Sequence, residues 1–372
     1  MQLMYVTDRK PETSSESKFG YGTARSLSLA FGTVDVEIEG QPTWPKLSAA
    51  SLEADGDHSL RMNLGRINEL GRFPETPHPV VVIDGEVRED PERLKAARVE
   101  AASLRSELGS RLEQSPGSEV LIFIHGYNNR FDDAAYVLAE LWHYLGRRHV
   151  PIVYSWPAGH EGLGGVQGYN YDRESGEFTI YHLKQFLAFL GEMEDVEKVH
   201  IIAHSRGTDV AVSALRELTL KIRAEGRDPR EELRIENLVL AAPDLDFEVV
   251  LQRVIAEHLE SGIGQITIYT SPGDKAIRVS EWLFGSIRRI GRIAPDVMEE
   301  TISPQQIESM QRYSPVHFIE YRGSSDQTGH GYFHSSPAVS SDLITLINQG
   351  AKPGSTDRPL KAEGTNFWII EE

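Results

Sequence analysis

From residue 119 onward the chain alternates short, nearly continuous apolar runs with longer amphipathic stretches. The runs are EVLIFIH (119–125), PIVYSW (151–156), KVHIIAH (198–204), ENLVLAAP (236–243), QITIYTS (265–271) and VHFIEY (316–321). Strands that lack apolar–polar alternation are covered on both faces, as in a parallel sheet flanked by helices. The stretches between them suit crossover helices. After Ser205, for example, Ala211, Ala214, Leu215, Leu218 and Ile222 share one face, and Gly226 is placed to close the helix. This order of strands and helices predicts the α/β class: a mostly parallel, doubly wound sheet with helices on both faces.

The first hundred residues read differently. VDVEIEG (34–40) and PVVVIDG (79–85) are short strand candidates among Gly- and Pro-rich connections, and PETSSESK (11–18) reads as a loop. A helix is expected from Pro91 to Leu112, with Asp90 as N-cap and Leu94, Ala97, Ala101, Leu104, Leu108 and Leu112 on one face. A last helix, about Pro337 to Asn348, takes Ser336 as N-cap, and NFWII near the C-terminus suits an edge strand. The expected organisation is an N-terminal extension (1–115) packed on a catalytic domain (116–350), followed by a tail (351–372). Segments 159–177 and 281–313 are candidate caps over the site.

Chemistry concentrates in VHIIAHSRGTDVAVSAL. An apolar strand ends at His204, Ser205 follows, and an amphipathic helix begins just beyond. A serine on so sharp a turn needs small residues two before and two after it, and Ala203 and Gly207 supply them, giving A-x-S-x-G where G-x-S-x-G is commoner. Such a turn lifts the hydroxyl above the strand's carboxyl end, where α/β sheets bind ligands. In LIFIHGYNNRF, the N–H of Tyr127 or Asn128 is a candidate oxyanion donor, with the Arg206 N–H as the second. His125 is expected to be a buried core histidine.

A serine hydroxyl also needs a base and an orienting acid, which follow it in the order acid, then histidine. Asp274 in SPGD and His330 in GHGY stand at strand carboxyl ends on the same side as Ser205. Asp274 is favoured over Asp244 and Asp246, which read as caps of a helix near Phe247. His330 is favoured over His334, beside the last helix.

Composition narrows the possibilities. Cysteine is absent, which removes thiol nucleophiles, thiolate zinc sites and disulfides. His143, His149 and His160 are scattered without metal-ligand spacing, so no metal is expected, and no phosphate-loop order or cofactor motif is present. The formal net charge is −18, which argues against a nucleic-acid partner. Arg288, Arg289 and Arg292 form one basic exception, read as a solvated face. There is no apolar run of transmembrane or signal-peptide type, so stable membrane insertion is not expected and a cytoplasmic location is.

The segments IFIHGYNN, YSWPAG, AHSRGT, LAAPDLD, YTSPGDKAI and GHGYF together resemble the bacterial α/β-hydrolase family catalogued as DUF900. YVTDRK and YGTARSLSLAFGTVDVEI resemble that family's opening segment, so the resemblance runs over most of the chain. It implies an α/β-hydrolase fold and an esterase- or lipase-like enzyme whose Ser, Asp and His match Ser205, Asp274 and His330. Where such families usually carry a small or apolar residue after the serine, this chain has Arg206. The expected activity is hydrolysis of a small-molecule carboxylic ester through an acyl-enzyme, without a cofactor. A thioesterase, lactonase or peptidase using the same triad, or a non-catalytic binding protein, stays open, as does the oligomeric state.

Overall fold

The computed structural model describes residues 1–13, 19–40, 61–160, 165–283, 288–293, 315–323, 329–364 and 366–371, with positions 43, 45, 162, 303 and 305. Its centre is an eleven-stranded sheet that runs from residues 361–364 at one edge through 367–370, 316–321, 263–270, 235–241, 198–204, 119–124, 150–155, 2–13 and 19–38 to 62–72 at the other. All six apolar runs form strands: β6 (Glu119–Ile124), β7 (Val150–Ser155), β8 (Lys198–His204), β9 (Ile235–Ala241), β10 (Ile263–Thr270) and β11 (Val316–Tyr321). They pair in parallel, for instance Ile122 with Ile201 and Ile202 with Val239.

The N-terminal strands β1 (Gln2–Thr13), β2 (Phe19–Ile38) and β3 (Met62–Arg72) are longer than their sequence suggests. They extend the same sheet rather than forming a layer of their own. β1 runs parallel to β7, with Val6 opposite Tyr154, and antiparallel to β2, with Val6 opposite Phe31. Residues 11–13, expected in a loop, end β1, while 14–18 lie outside the described residues. β4 (Val80–Ile83) and β5 (Glu86–Glu89) make a separate hairpin. At the other end, β13 (Phe367–Ile370) pairs with β11 in parallel, and β12 (Lys361–Gly364), not NFWII, takes the edge.

Helices cover both faces. α1 (Pro91–Gln114), α3 (Gly165–Gly191) and α4 (Gly207–Ala224) pack on one face against Ile122, Ile124, Ile152 and Ile201; α2 (Phe131–Tyr144) lies between α1 and α3 in sequence but on the opposite face. There it joins α9 (Pro337–Gln349) against Leu121, Phe123, Ile202 and Ile319. Alternate residues of one strand thus feed two apolar layers, which is why the runs show no regular apolar–polar alternation. Asp90 accepts the Glu92 N–H at α1, and Ser336 accepts the Val339 N–H at α9, as the sequence pattern requires. Among the described residues the other α-helices are short: α5 (Pro229–Leu233), α6 (Phe247–Val250), α7 (Lys275–Leu283) and α8 (Tyr332–Ser335). Among the described residues, no helix is long and apolar enough to cross a membrane.

Candidate active site

Ser205 sits on the turn between β8 and α4 with φ +51°, a left-handed conformation that a serine adopts only when its surroundings impose it. Those surroundings are backbone. Ser205 N–H donates to Ala241 O on β9 (3.0 Å), and Ser205 O accepts from Asp244 N–H (3.3 Å). The need for small neighbours is literal: a Cβ on Gly207 would meet His125 O at 2.3 Å, and one on Gly126 would meet Ser205 Cβ at 2.7 Å. Ser205 is 6% exposed, at the floor of a cavity of about 540 Å³ that His330 also lines.

His330 Nδ1 lies 2.7 Å from Asp274 Oδ2. Asp274 is 1% exposed, and its other oxygen accepts the Ile277 N–H at the start of α7 (2.9 Å), so the carboxylate has one fixed direction. Such a pair holds an imidazole in one tautomer and stabilises it when charged. His204, immediately before the serine, packs its ring 4.6 Å from that of His330 and bonds the His330 backbone. Burial and the neighbouring His330 push the His204 pKa well below its ordinary value, so this imidazole stays neutral.

The alternative residues have other tasks. Asp244 is buried and lines the cavity, but it accepts from the Tyr169 hydroxyl (2.5 Å) and the Ser280 hydroxyl (2.7 Å) and lies 3.4 Å from Arg289. Its two oxygens are thus taken by hydroxyls, and it is Asp246, not Asp244, that caps the following helix. Asp246 alone is the cap of α6, accepting from the Glu248 and Val249 N–H groups. His334 Nδ1 is 2.9 Å from Glu140 on α2 and is not paired with Asp274. Arg289, expected on a solvated face, is 7% exposed because Asp244 draws it inward.

Of the candidate oxyanion donors, the structure removes Asn128. Its N–H donates to the buried carboxylate of Asp172 on α3 (2.7 Å), and the Gly126 N–H is taken by Asn129 Oδ1 (3.2 Å). The amides of Tyr127 and Arg206 have no partner among the described residues. The Arg206 side chain folds away to Asp209 (2.7 Å). Burial opposes its charge, but Asp209, Tyr169 and Asp244 outweigh that and raise its pKa.

Two residues that the sequence did not single out hold this loop. Asp172 accepts the Gly159 N–H (3.0 Å) as well as that of Asn128, tying the turns after β6 and β7 together. Arg9, on β1, is fully buried; its guanidinium donates to Gly22 O (3.0 Å), Ala158 O (2.9 Å), Asn129 O (2.8 Å) and Ser155 Oγ (2.8 Å). Burial lowers its pKa to about 10, and it remains a cation. Burial and Arg9 together press the neighbouring His125 down to about 3, so His125 is a neutral core residue stacked on Trp156. The only sequence signal for Arg9 was its place in YVTDRK.

Of the two expected cap segments, 159–177 reaches the cavity through Gly165, Val166 and Tyr169, while most of 281–313 lies outside the described residues. From the described part of α7, Ala276, Ile277, Val279 and Ser280 form the opposite wall.

Residues 100–349 match the family described as "Alpha/beta hydrolase of unknown function (DUF900)". No curated protein matches the sequence. Among solved structures, an esterase of Pyrobaculum calidifontis is similar at 10% identity and TM-score 0.31, over 70% of this chain and 97% of that one. A mutant of the esterase rPPE is similar at 13% identity and TM-score 0.31, over 81% of this chain and 86% of that one.

Proposed function

Because the chain belongs to the α/β-hydrolase family DUF900, we propose that it is a serine hydrolase that cleaves carboxylic esters at Ser205. The observation that carries this reading is His330, held by the buried Asp274 and lining the same cavity as the strained Ser205. His330, with Nδ1 held by Asp274, takes the Ser205 proton through Nε2 as Oγ attacks the ester carbonyl. The developing oxyanion is met by the Tyr127 and Arg206 amides, which have no other partner among the described residues. His330 then returns the proton to the departing alcohol. Water repeats the sequence on the acyl-enzyme and releases the acid. The walls around Ser205 are mainly apolar, with Val166, Ile277 and Val279 prominent, and this suits an aliphatic acyl group.

A fluorophosphonate probe tests the reading. The intact protein is expected to take up one adduct, on Ser205, while folded Ser205→Ala takes up none. Removal of the nucleophile is expected to lower p-nitrophenyl ester turnover by several orders of magnitude. If the alanine variant keeps more than about a tenth of the rate, Ser205 is not the nucleophile. A series of esters of increasing acyl length then measures the depth of the cavity.

A further inference from the structure

At the opposite end of the sheet from Ser205, three potential metal ligands converge from three neighbouring strands. Glu119 opens β6, His149 immediately precedes β7, and His200 lies near the start of β8. One oxygen, Glu119 Oε2, stands 3.3 Å from His149 Nε2 and 3.1 Å from His200 Nε2, and the three ligand atoms all lie within 4.8 Å of one another. His200 lies on β8, five residues before Ser205 on the turn that follows, about 16 Å away at an ordinary strand rise. The cluster is therefore separate from the proposed catalytic centre.

We propose that Glu119, His149 and His200 form a binding site for a divalent transition-metal ion, zinc above all, that clips β6, β7 and β8 together. Two imidazoles and a carboxylate are a common zinc donor set, leaving a fourth position for water. Tetrahedral donors at about 2.0–2.1 Å from zinc stand roughly 3.3 Å apart, close to the two separations found here. Both imidazoles are almost wholly buried, whereas the Glu119 side chain is 16% exposed and gives the ion a way in.

The surroundings support the ligands. Asn237 Nδ2 lies 2.9 Å from His200 Nδ1, and a half-turn of that amide presents its oxygen to an Nδ1–H, the usual partner of a metal-bound imidazole. The indole of Trp142 donates to His149 O (2.8 Å) and fixes the backbone of that ligand. Lys198 engages only the other oxygen of Glu119 (3.0 Å), leaving Oε2 to the histidines. Hard oxygen-seeking ions such as Mg²⁺ are poorly served by two imidazoles, so the site should discriminate against them.

Tag-free protein, stripped with chelator and dialysed, is titrated with Zn²⁺ against a chromophoric competitor, with Mg²⁺ as control and melting followed in parallel. The proposal expects one tight Zn²⁺ per chain and a melting temperature that rises with Zn²⁺ but not with Mg²⁺. Asn237→Ala is expected to weaken binding about ten- to a hundredfold, and the His149→Gln/His200→Gln double variant to lose the site. Ester turnover at moderate temperature is expected to be the same with and without Zn²⁺, which separates failure of this proposal from failure of the catalytic reading. Absence of Zn²⁺ binding by the wild type, or equal binding and equal stabilisation in the double variant, overturns the proposal. If the double variant does not fold, His149→Gln alone, which leaves Glu119 paired with His200 and Lys198, decides by the same comparison.

Discussion

Replacing Gly126 by alanine tests the geometry of the site rather than its chemistry. The added Cβ would stand 2.7 Å from Ser205 Cβ, 3.1 Å from His204 Nδ1 and 3.2 Å from His204 O. Two carbons in contact sit about 3.5–4.0 Å apart, so either the serine or the loop carrying Tyr127 must move by about 1 Å. The φ of Gly126 is outside the left-handed region, so alanine adds a clash without backbone strain. A misplacement of about 1 Å at a reacting group costs on the order of a hundredfold in rate, whereas one surplus methyl in a packed interior costs about 1–3 kcal/mol of stability. Gly126→Ala is therefore expected to remain folded, with kcat/KM for a p-nitrophenyl ester reduced about a hundredfold and fluorophosphonate labelling slowed in proportion. The assay pairs those rates with a melting curve. A folded variant whose kcat/KM stays within about threefold of wild type would refute the proposed approach of the 125–127 loop to the nucleophile.

Other perturbations separate catalysis from architecture. Asp274→Asn is expected to reduce ester turnover by around ten-thousandfold with little change in melting temperature. Asp246→Ala, which removes only the cap of α6, should cost about 0.5–2 kcal/mol with turnover preserved; an inactive Asp246 variant would contradict this division. Arg358 is 1% exposed and donates to both oxygens of Asp342, fastening the tail to α9, so Arg358→Ala leaves a buried carboxylate without its cation and with the Tyr269 hydroxyl as its remaining donor. The expected loss is about 3–5 kcal/mol, read from urea midpoints. His125 predicts acid lability. Its folded pKa of about 3 lies below the ordinary 6.5, so the unfolded chain binds the extra proton between those values and stability falls as pH drops through that window. The difference reaches about 2 kcal/mol at pH 5, and urea midpoints that stay flat from pH 7 to pH 5 would contradict it.

The catalytic half of the fold was legible because six strands buried on both faces leave an unmistakable apolar signature. The N-terminal strands were not. β1 is buried on both faces from Leu3 to Arg9, but Thr7, Asp8 and Arg9 cut its apolar run short, and β2 carries Gly20, Gly22 and Gly32 within it, residues that read as connections. Register shifts between β1 and β2 and between β2 and β3 further blur any period of two. Arg9 was illegible for a related reason. A buried cation satisfied by three carbonyls and a hydroxyl distant in the chain looks in sequence like any arginine in a strand.

The site divides along the same line between local and long-range information. Ser205 announces itself because its requirements are local: two small neighbours, a strand before and a helix after. The acid does not, since Asp244 and Asp274 both follow strands that end on the same side. What distinguishes them is occupancy. Both oxygens of Asp244 are engaged, by Tyr169 from α3 and Ser280 from α7, whereas Asp274 has one oxygen on its own helix and the other on His330. Asn128 follows the same logic, its amide being claimed by Asp172, 44 residues away. Glu119, His149 and His200 carry no spacing motif because their ligand geometry is set by the pairing of β6 with β7 and β8, not by a turn or a helix. A sequence motif records constraints within one turn of chain. Constraints imposed across a sheet surface only once the strands are in register, and in this protein they decide which carboxylate pairs with His330 and which amides of the turn after β6 are already engaged.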